Sequence, residues 1–193
     1  MAEMLEIRWH GRGGQGAKTA AILLAEAAAA VGKYVQAFPE YGPERMGAPV
    51  TSYNRISDTP IRLNCSVTNP KYVVILDPTL IGSSVDVLDG VGEDGVFLVN
   101  SDQSTEEIRK KLGASDKQQV YVIDANKISM ETIKRSIPNT PMLGALVRLT
   151  GGLSLDDLLE DTRRKLEVKF RNKPEVIEGN LEAIRRAYQE VIE

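Results

Sequence analysis

Cysteine and histidine are almost absent from this chain, which contains one residue of each, Cys65 and His10. One thiol forms no internal disulfide and cannot supply the four thiolates of an iron–sulfur cluster. A zinc site built from cysteine and histidine is not expected either. We therefore predict that Cys65 is a small buried apolar residue rather than a reactive thiol. If the protein takes part in redox chemistry, the electron carriers should lie on another chain.

Strong net charge and long apolar runs are also missing. The formal net charge is −3 over 193 residues, so no basic field favours nucleic acid or an anionic membrane. No apolar run approaches the roughly 18 residues of a membrane-spanning helix. The first nine residues include Glu3, Glu6 and Arg8, which argues against a signal peptide. We expect a soluble, cytoplasmic protein that contacts neither nucleic acid nor membrane.

The pattern of apolar runs predicts strands that alternate with helices. This order is typical of an α/β protein, and we expect three α/β/α layers around a mostly parallel mixed sheet. The first helix should cover 13–32, and Gly32 is placed to end it. With no repeat or linker, residues 1–193 are predicted to form one domain. The predicted strands are 4–10, 33–38, 50–57, 60–63, 71–77, 95–101 and 120–125, with a helix over 104–112.

From about residue 140 the sequence favours helices only. Thr140 is a candidate N-cap, with Pro141 at the first helical position, and the helix should end at Gly151-Gly152. Ser154 precedes Asp157 at the spacing of a capping box and predicts another helix. The last helix, from residue 174 onward, has an amphipathic pattern. The fold should therefore end in a helical part.

The segment HGRGGQGAKT, residues 10–19, joins the first strand to the first helix. It fits the G-x-G-x-x-G pattern of dinucleotide-binding proteins, but Glu40, the acidic residue after strand two, follows a proline that turns the chain away. Read as a P-loop, it has Ala17 where lysine belongs, so Lys18 and Thr19 are displaced by about 100° around the helix. Two interpretations stay open: backbone N–H groups that hold an anion, or glycines that permit a tight turn.

Three separated segments, GRGGQG (11–16), QAFPEYGPERMGAPVTSYNRISDTPI (36–61) and YVVILDPTL (72–80), occur together in this order. On these segments the chain resembles the gamma subunit of 2-oxoacid:ferredoxin oxidoreductases, most closely that of the pyruvate enzyme (pyruvate synthase). The resemblance implies a hetero-oligomeric complex that oxidatively decarboxylates a 2-oxoacid to acyl-CoA and reduces ferredoxin. It also implies alpha, beta and delta partner subunits, which would carry thiamine diphosphate, Mg²⁺ and iron–sulfur clusters.

Within such a complex, this chain is not expected to perform catalysis or to bind a metal or cofactor alone. Its nearest approach to a thiamine-diphosphate motif is Gly92-Glu93-Asp94-Gly95, which differs from the G-D-G pattern. We interpret His10 as a hydrogen-bonded structural residue. Asp77 lies at the carboxyl end of a strand, where the sites of α/β proteins gather, and it either belongs to such a site or caps the next turn. The chain should support assembly, with the loop 39–49 at an interface.

The resemblance also suggests where CoA, as a substrate of the complex, would meet this chain. The candidate anion or CoA contacts are Arg12, Gly13, Gly14, Gln15, Gly16 and Arg45. Related complexes that act on 2-oxoisovalerate, 2-oxoglutarate or indolepyruvate remain alternatives to pyruvate. An independent nucleotide-binding oxidoreductase and a purely structural subunit are the other possibilities.

Overall fold

The computed structural model describes residues 4–40 and 46–191, which contain a mixed sheet of six strands. The strands lie in the order β2-β3-β1-β4-β5-β6. β1 pairs with β3, and β3 with β2, in antiparallel fashion, whereas β1, β4, β5 and β6 are parallel. The strands are β1 (Leu5–Arg12), β2 (Tyr34–Pro39), β3 (Pro49–Ser57), β4 (Tyr72–Ile75), β5 (Val96–Asn100) and β6 (Gln119–Ile123).

Six α-helices within the described residues pack around this sheet. Most of the last 55 residues are helical, in agreement with the predicted helical C-terminal part. The helices are α1 (Ala17–Ala30), α2 (Thr105–Leu112), α3 (Ala125–Thr132), α4 (Asn139–Thr150), α5 (Leu155–Lys169) and α6 (Pro174–Glu190), and a short 3₁₀ turn covers Pro78–Leu80. Among the described residues no helix is both long enough and apolar enough to cross a bilayer.

Successive side chains of a strand point to opposite faces of the sheet, and different elements cover the two faces. Ile7 and Trp9 of β1 belong to the larger core, which they share with α1, α3, α4 and α6. Val73 and Ile75 of β4 belong to a second core, closed by α2 and the segment 80–91. These layers confirm the predicted α/β/α architecture.

The direction of the chain reverses between β1 and β4. From β1 it proceeds through α1 to β2 and β3 on one side, and from β4 it proceeds to β5 and β6 on the other. Ligands of open α/β sheets bind at such a switch point, beyond the carboxyl ends of the strands. Here that crevice lies between Arg12 at the end of β1 and Asp77 just after β4.

Three local predictions were wrong. Residues 60–63 form no strand, because both edges of β3 are already paired with β1 and β2. α4 begins at Asn139 after Pro138, so Thr140 is not its N-cap. Pro141 is accommodated as the third helical residue, where its missing N–H has no intrahelical acceptor. The predicted caps at Gly151 and Ser154 are present.

Cys65 is exposed, which corrects the prediction that it is buried. The segment around it lies outside the sheet, where its carbonyl groups satisfy the buried Arg55 guanidinium. Arg55 Nη1 donates to Cys65 O at 2.7 Å, and Nη2 donates to Ser66 O at 3.1 Å. The cysteine side chain is therefore left at the surface, with Sγ 3.8 Å from Arg55 Nη2.

Candidate functional site

The glycine loop between β1 and α1 has a backbone that favours glycine at two positions. Gly14 has φ 99° and Gly16 has φ 82°, both in the left-handed region. A Cβ atom on Gly16 would lie 2.7 Å from Asn139 Nδ2 and 3.1 Å from Asn139 Cβ, so α4 packs directly against this turn. A Cβ atom on Gly14 would meet nothing within 4 Å. Packing thus explains Gly16, whereas only the backbone conformation explains Gly14.

Some N–H groups of this loop already have acceptors, and others do not. Gly13 N–H donates to Ala48 O at 2.9 Å, and Gln15 N–H donates to Arg12 O at 3.0 Å. Among the described residues, we find no acceptor for the N–H groups of Gly14, Gly16 and the first three residues of α1. The N–H groups of Gly13 and Gln15 therefore stabilise the loop internally. The N–H groups of Gly14, Gly16 and the first turn of α1 remain available to a ligand.

The start of α1 has no side chain that neutralises it. No side chain caps the helix and no acidic residue occupies its first turn. By contrast, Ser104, Asp124 and Ser154 accept hydrogen bonds at the starts of α2, α3 and α5. Because the helix dipole leaves partial positive charge at an N-terminus, an anion would be stabilised at this end of α1.

Arg12, a predicted anion contact, is engaged within the protein. Its Nε lies 3.2 Å from Asp77 Oδ2, and its Nη2 donates to Thr79 Oγ1 at 2.9 Å. Its Nη1 donates to Gly47 O at 3.2 Å, and about 31% of the side chain is exposed. Arg12 thus joins three loops: the glycine loop, the loop after β4 and the loop before β3.

Gln15 connects the same loops from the other side. Its Oε1 accepts from the Arg12 N–H at 2.7 Å, and its Nε2 donates to Asp77 Oδ2 at 2.7 Å. Burial by itself would raise the pKa of Asp77, but hydrogen bonds from Thr79 and Gln15 and the Arg12 charge hold it below the usual value. Asp77 is therefore an anion at neutral pH, and it also caps the 3₁₀ turn, which is one of the two roles considered for it from the sequence.

A surface cleft with a volume of about 480 Å³ lies between the start of α1, the end of β2 and the start of β3. Its walls combine the open helix end and the Lys18 side chain with apolar groups. Met46, at its rim, is 96% exposed. Arg45 falls outside the described residues, together with residues 41–44 of the loop 39–49 that was predicted to lie at an interface. The cleft is lined by Arg12, Gly13, Gly14, Gly16, Ala17, Lys18, Thr19, Pro39, Met46 and Val50.

His10 is a residue of β1 and does not line this cleft. It is 3% exposed, and neither ring nitrogen has a partner among the described residues, so the expected hydrogen bond of a structural histidine is not found. Burial, together with the nearby positive charge of Arg8, lowers the pKa of His10 to about 3. A neutral, buried imidazole is unsuited to proton exchange with a substrate at neutral pH.

Two contributors to the site were missed from the sequence, Thr79 and Asn139. The Asp-Pro-Thr order after β4 is a turn signal that could have indicated Thr79, whose N–H donates to Asp77 Oδ1 at 3.0 Å. Asn139 is more than 120 residues from Gly16, and no local pattern connects them. Among the described residues no group of three or more His, Cys, Asp or Glu side chains is placed to hold a metal ion.

Comparisons with known proteins agree with this architecture. Residues 6–190 match the family model of pyruvate ferredoxin/flavodoxin oxidoreductase. Pyruvate synthase subunit PorC of Thermotoga maritima is 51% identical over 186 residues, which are 96% of this chain and 94% of that protein. The pyruvate/ketoisovalerate oxidoreductases common subunit gamma of Pyrococcus abyssi is 45% identical over 186 residues, with 96% of each chain covered.

A solved structure extends the similarity to three dimensions. The crystal structure of pyruvate oxidoreductase subunit PORC from Thermotoga maritima superimposes with a TM-score of 0.84 at 48% identity, and 98% of each chain is covered. The resemblance inferred from the three sequence segments is thereby confirmed, and the alternative of an independent nucleotide-binding oxidoreductase is not supported. The chain belongs to the pyruvate ferredoxin/flavodoxin oxidoreductase family, in which it is a gamma-type subunit.

Proposed function

We propose that this subunit belongs to a cytoplasmic complex that converts pyruvate and CoA into acetyl-CoA and CO₂ and reduces ferredoxin. The names of the two curated relatives support pyruvate, and one of them adds ketoisovalerate as a second substrate of related enzymes. Alpha, beta and delta-type subunits are the proposed partners. They would carry thiamine diphosphate, Mg²⁺ and the iron–sulfur clusters, and this chain would bind none of them alone.

For the chain itself we propose a contact with CoA at the start of α1. The observation that carries this proposal is the open helix end, where no side-chain cap and no acidic residue competes with an incoming anion. Lys18 adds a positive charge to this end, and Pro39, Met46 and Val50 add an apolar wall. CoA combines phosphate groups with an extended apolar arm, which matches both parts of the cleft.

The predicted contact residues would divide between two roles. Gly14 and Gly16 offer N–H groups directly, whereas Gly13, Gln15 and Arg12 hold the loop in place through their internal hydrogen bonds. Arg12 keeps part of its guanidinium exposed and would still favour an anion at the rim. Arg45 is proposed as a further contact from the neighbouring loop.

The test is steady-state kinetics of the assembled complex with Lys18→Gln and Arg12→Ala. We expect Lys18→Gln to raise the apparent KM for CoA about three- to tenfold, because an exposed charge contributes modestly. Arg12→Ala should raise it about tenfold or more, because the loop also loses its support. The KM for pyruvate should stay within about twofold of the wild-type value.

Lys127→Gln is the matched control, since Lys127 is an exposed lysine of α3 beside a different cleft. It should change neither KM. An equal effect of Lys18→Gln on both substrates, or none on CoA, would refute the CoA contact. In that case the glycines serve the packing against Asn139 and the turn, and the subunit has a structural role only.

A further inference from the structure

The edge strand β2 is unusually open. None of its six residues is buried, whereas three of the five residues of β6, at the opposite edge, are buried. Its sequence YVQAFP contains no charge, and the nearest charged residues, Lys33 and Glu40, stand just outside its ends. Natural edge strands are usually protected by a central charge, a bulge or a covering element. Something is therefore expected to cover β2 in solution.

The main-chain groups of β2 show which positions are available. Glu40 N–H donates to Thr51 O at 2.9 Å, so the main-chain groups of Glu40 point toward β3. Along an antiparallel strand, the N–H and C=O groups of successive residues point alternately toward and away from the neighbouring strand. Val35 and Ala37 are an odd number of residues from Glu40, so their N–H and C=O groups point away from β3. Among the described residues these groups have no partner. Pro39, which has no N–H, ends the open row.

Apolar side chains accompany this open row. Tyr34 is 47% exposed and Leu63 is 43% exposed, and Phe38 of β2 is half-buried. Leu63 lies beside the strand, because Gln36 Nε2 donates to Leu63 O at 2.8 Å. Tyr34, Gln36 and Phe38 share one face of the sheet, since they alternate along β2.

We propose that β2 pairs antiparallel with β2 of a second copy of this chain, around a two-fold axis that passes between the two Gln36 residues. In this register Val35 of each copy lies opposite Ala37 of the other. Two main-chain hydrogen bonds form at each of these two pairs, which gives about four in total. The same register places Tyr34 opposite Phe38 of the second copy, an aromatic pair.

Charge favours the same arrangement. The strand begins after Lys33 and ends before Glu40, so antiparallel pairing brings opposite charges together at both ends. Parallel pairing would bring like charges together. The strand is thus complementary to itself, and the two six-stranded sheets become one continuous sheet of the dimer.

Disulfide trapping of the full-length chain tests this register. In a Cys65→Ser background, Gln36→Cys places two thiols opposite each other at a Cα separation of about 4.5–5.5 Å, which suits a disulfide. Tyr34→Cys is the matched control, because its two copies would be about 13 Å apart along the strands. We expect covalent dimers from Gln36→Cys and none from Tyr34→Cys.

Sedimentation equilibrium provides an independent measurement. Tyr34→Lys should raise the dimer dissociation constant about tenfold or more, because a charge replaces one aromatic in each pair. Val168→Lys should not change it, since Val168 is 73% exposed on α5 rather than on β2. A wild-type chain that stays monomeric at about 0.1 mM would overturn the proposal. So would equal trapping of both cysteine variants, or trapping of Gln36→Cys by a different subunit of the complex.

Discussion

Replacing Gly16 by alanine should destabilise the protein more than any other single-methyl addition in the glycine loop. The residue has φ 82°, and the new Cβ atom would lie 2.7 Å from Asn139 Nδ2 and 2.9 Å from Asn139 Cγ. Asn139 is only 7% exposed at the start of α4, so it has little room to move. The substitution therefore combines backbone strain with a steric clash.

The two contributions can be estimated separately. An L-residue in the left-handed region costs about 1–2 kcal/mol, and forcing an extra group into a packed site costs about 1–3 kcal/mol. Gly16→Ala should therefore lower the free energy of unfolding by about 2–5 kcal/mol. Gly14→Ala is the matched control, because Gly14 has φ 99° but nothing within 4 Å of the added atom. It should cost only the backbone contribution of about 1–2 kcal/mol.

Urea unfolding of these variants would measure both free energies, and Asn139→Ala completes a double-mutant cycle. Because Asn139→Ala removes the two closest atoms, Gly16→Ala should cost less in that background, with a coupling of about 1 kcal/mol or more. Equal costs for Gly16→Ala and Gly14→Ala, or additivity in the cycle, would refute this account of the contact between α1 and α4.

Four further predictions concern single residues. Arg8 is buried and donates one hydrogen bond to Val87 O at 3.1 Å, and among the described residues no carboxylate lies within 4 Å of it. Because its removal leaves no carboxylate without a partner, Arg8→Met should lower the free energy of unfolding by less than about 1 kcal/mol, or raise it. Arg55→Met should lower it by about 3 kcal/mol in the same urea experiment, because Glu6, 2.7 Å from Arg55 Nε, would lose its partner. The pKa of His10 is about 3 in the folded protein, compared with the ordinary value of 6.5. As the pH is lowered, the unfolded state therefore binds the proton before the folded state does. The free energy of unfolding should fall by about 1.4 kcal/mol per pH unit between about pH 6.5 and pH 3. Unfolding curves of the wild type and His10→Gln over this range should differ in slope, and identical slopes would contradict the lowered pKa. Exposed Cys65 should react completely with a thiol reagent in the folded protein, and protection until unfolding would contradict its placement.

Local signals in the sequence were sufficient for most of the fold. The apolar runs that became β4, β5 and β6 are nearly continuous, as expected of strands buried in a layered sheet. Ser154 and Gly151 were found from their spacing, because capping is a short-range interaction. The predicted strand at 60–63 failed because pairing depends on which edges are free, which the local sequence does not contain.

The features of the site that the sequence did not predict depend on contacts between residues that are far apart in the chain. The glycine loop and Asp77 were both recognised, but their contact through Gln15 and Arg12 follows from β1 and β4 being neighbours in the sheet. Cys65 was placed in the core on the basis of residue type alone. Its position follows instead from the hydrogen bonds that the buried Arg55 guanidinium donates to the Cys65 and Ser66 carbonyl groups.

These contacts give the loop a defined conformation before any ligand arrives. Asp77 accepts from Gln15 and lies within salt-bridge distance of Arg12, so the loops after β1 and β4 are held together across the switch point. A loop fixed in this way presents its open N–H groups without an ordering cost on binding. The same rigidity would also suit a purely structural subunit, which is why the proposed CoA contact depends on the kinetic comparison of Lys18→Gln with Lys127→Gln.

The most direct test of the account is to purify the native complex through a tag on this chain and assay it. We predict that the other oxidoreductase subunits co-purify and that the complex reduces ferredoxin with pyruvate only when CoA is present. The isolated chain should be colourless and inactive with pyruvate and CoA. Recovery of the tagged chain without oxidoreductase subunits, or pyruvate oxidation by the chain alone, would contradict its assignment as a gamma subunit of a pyruvate oxidoreductase.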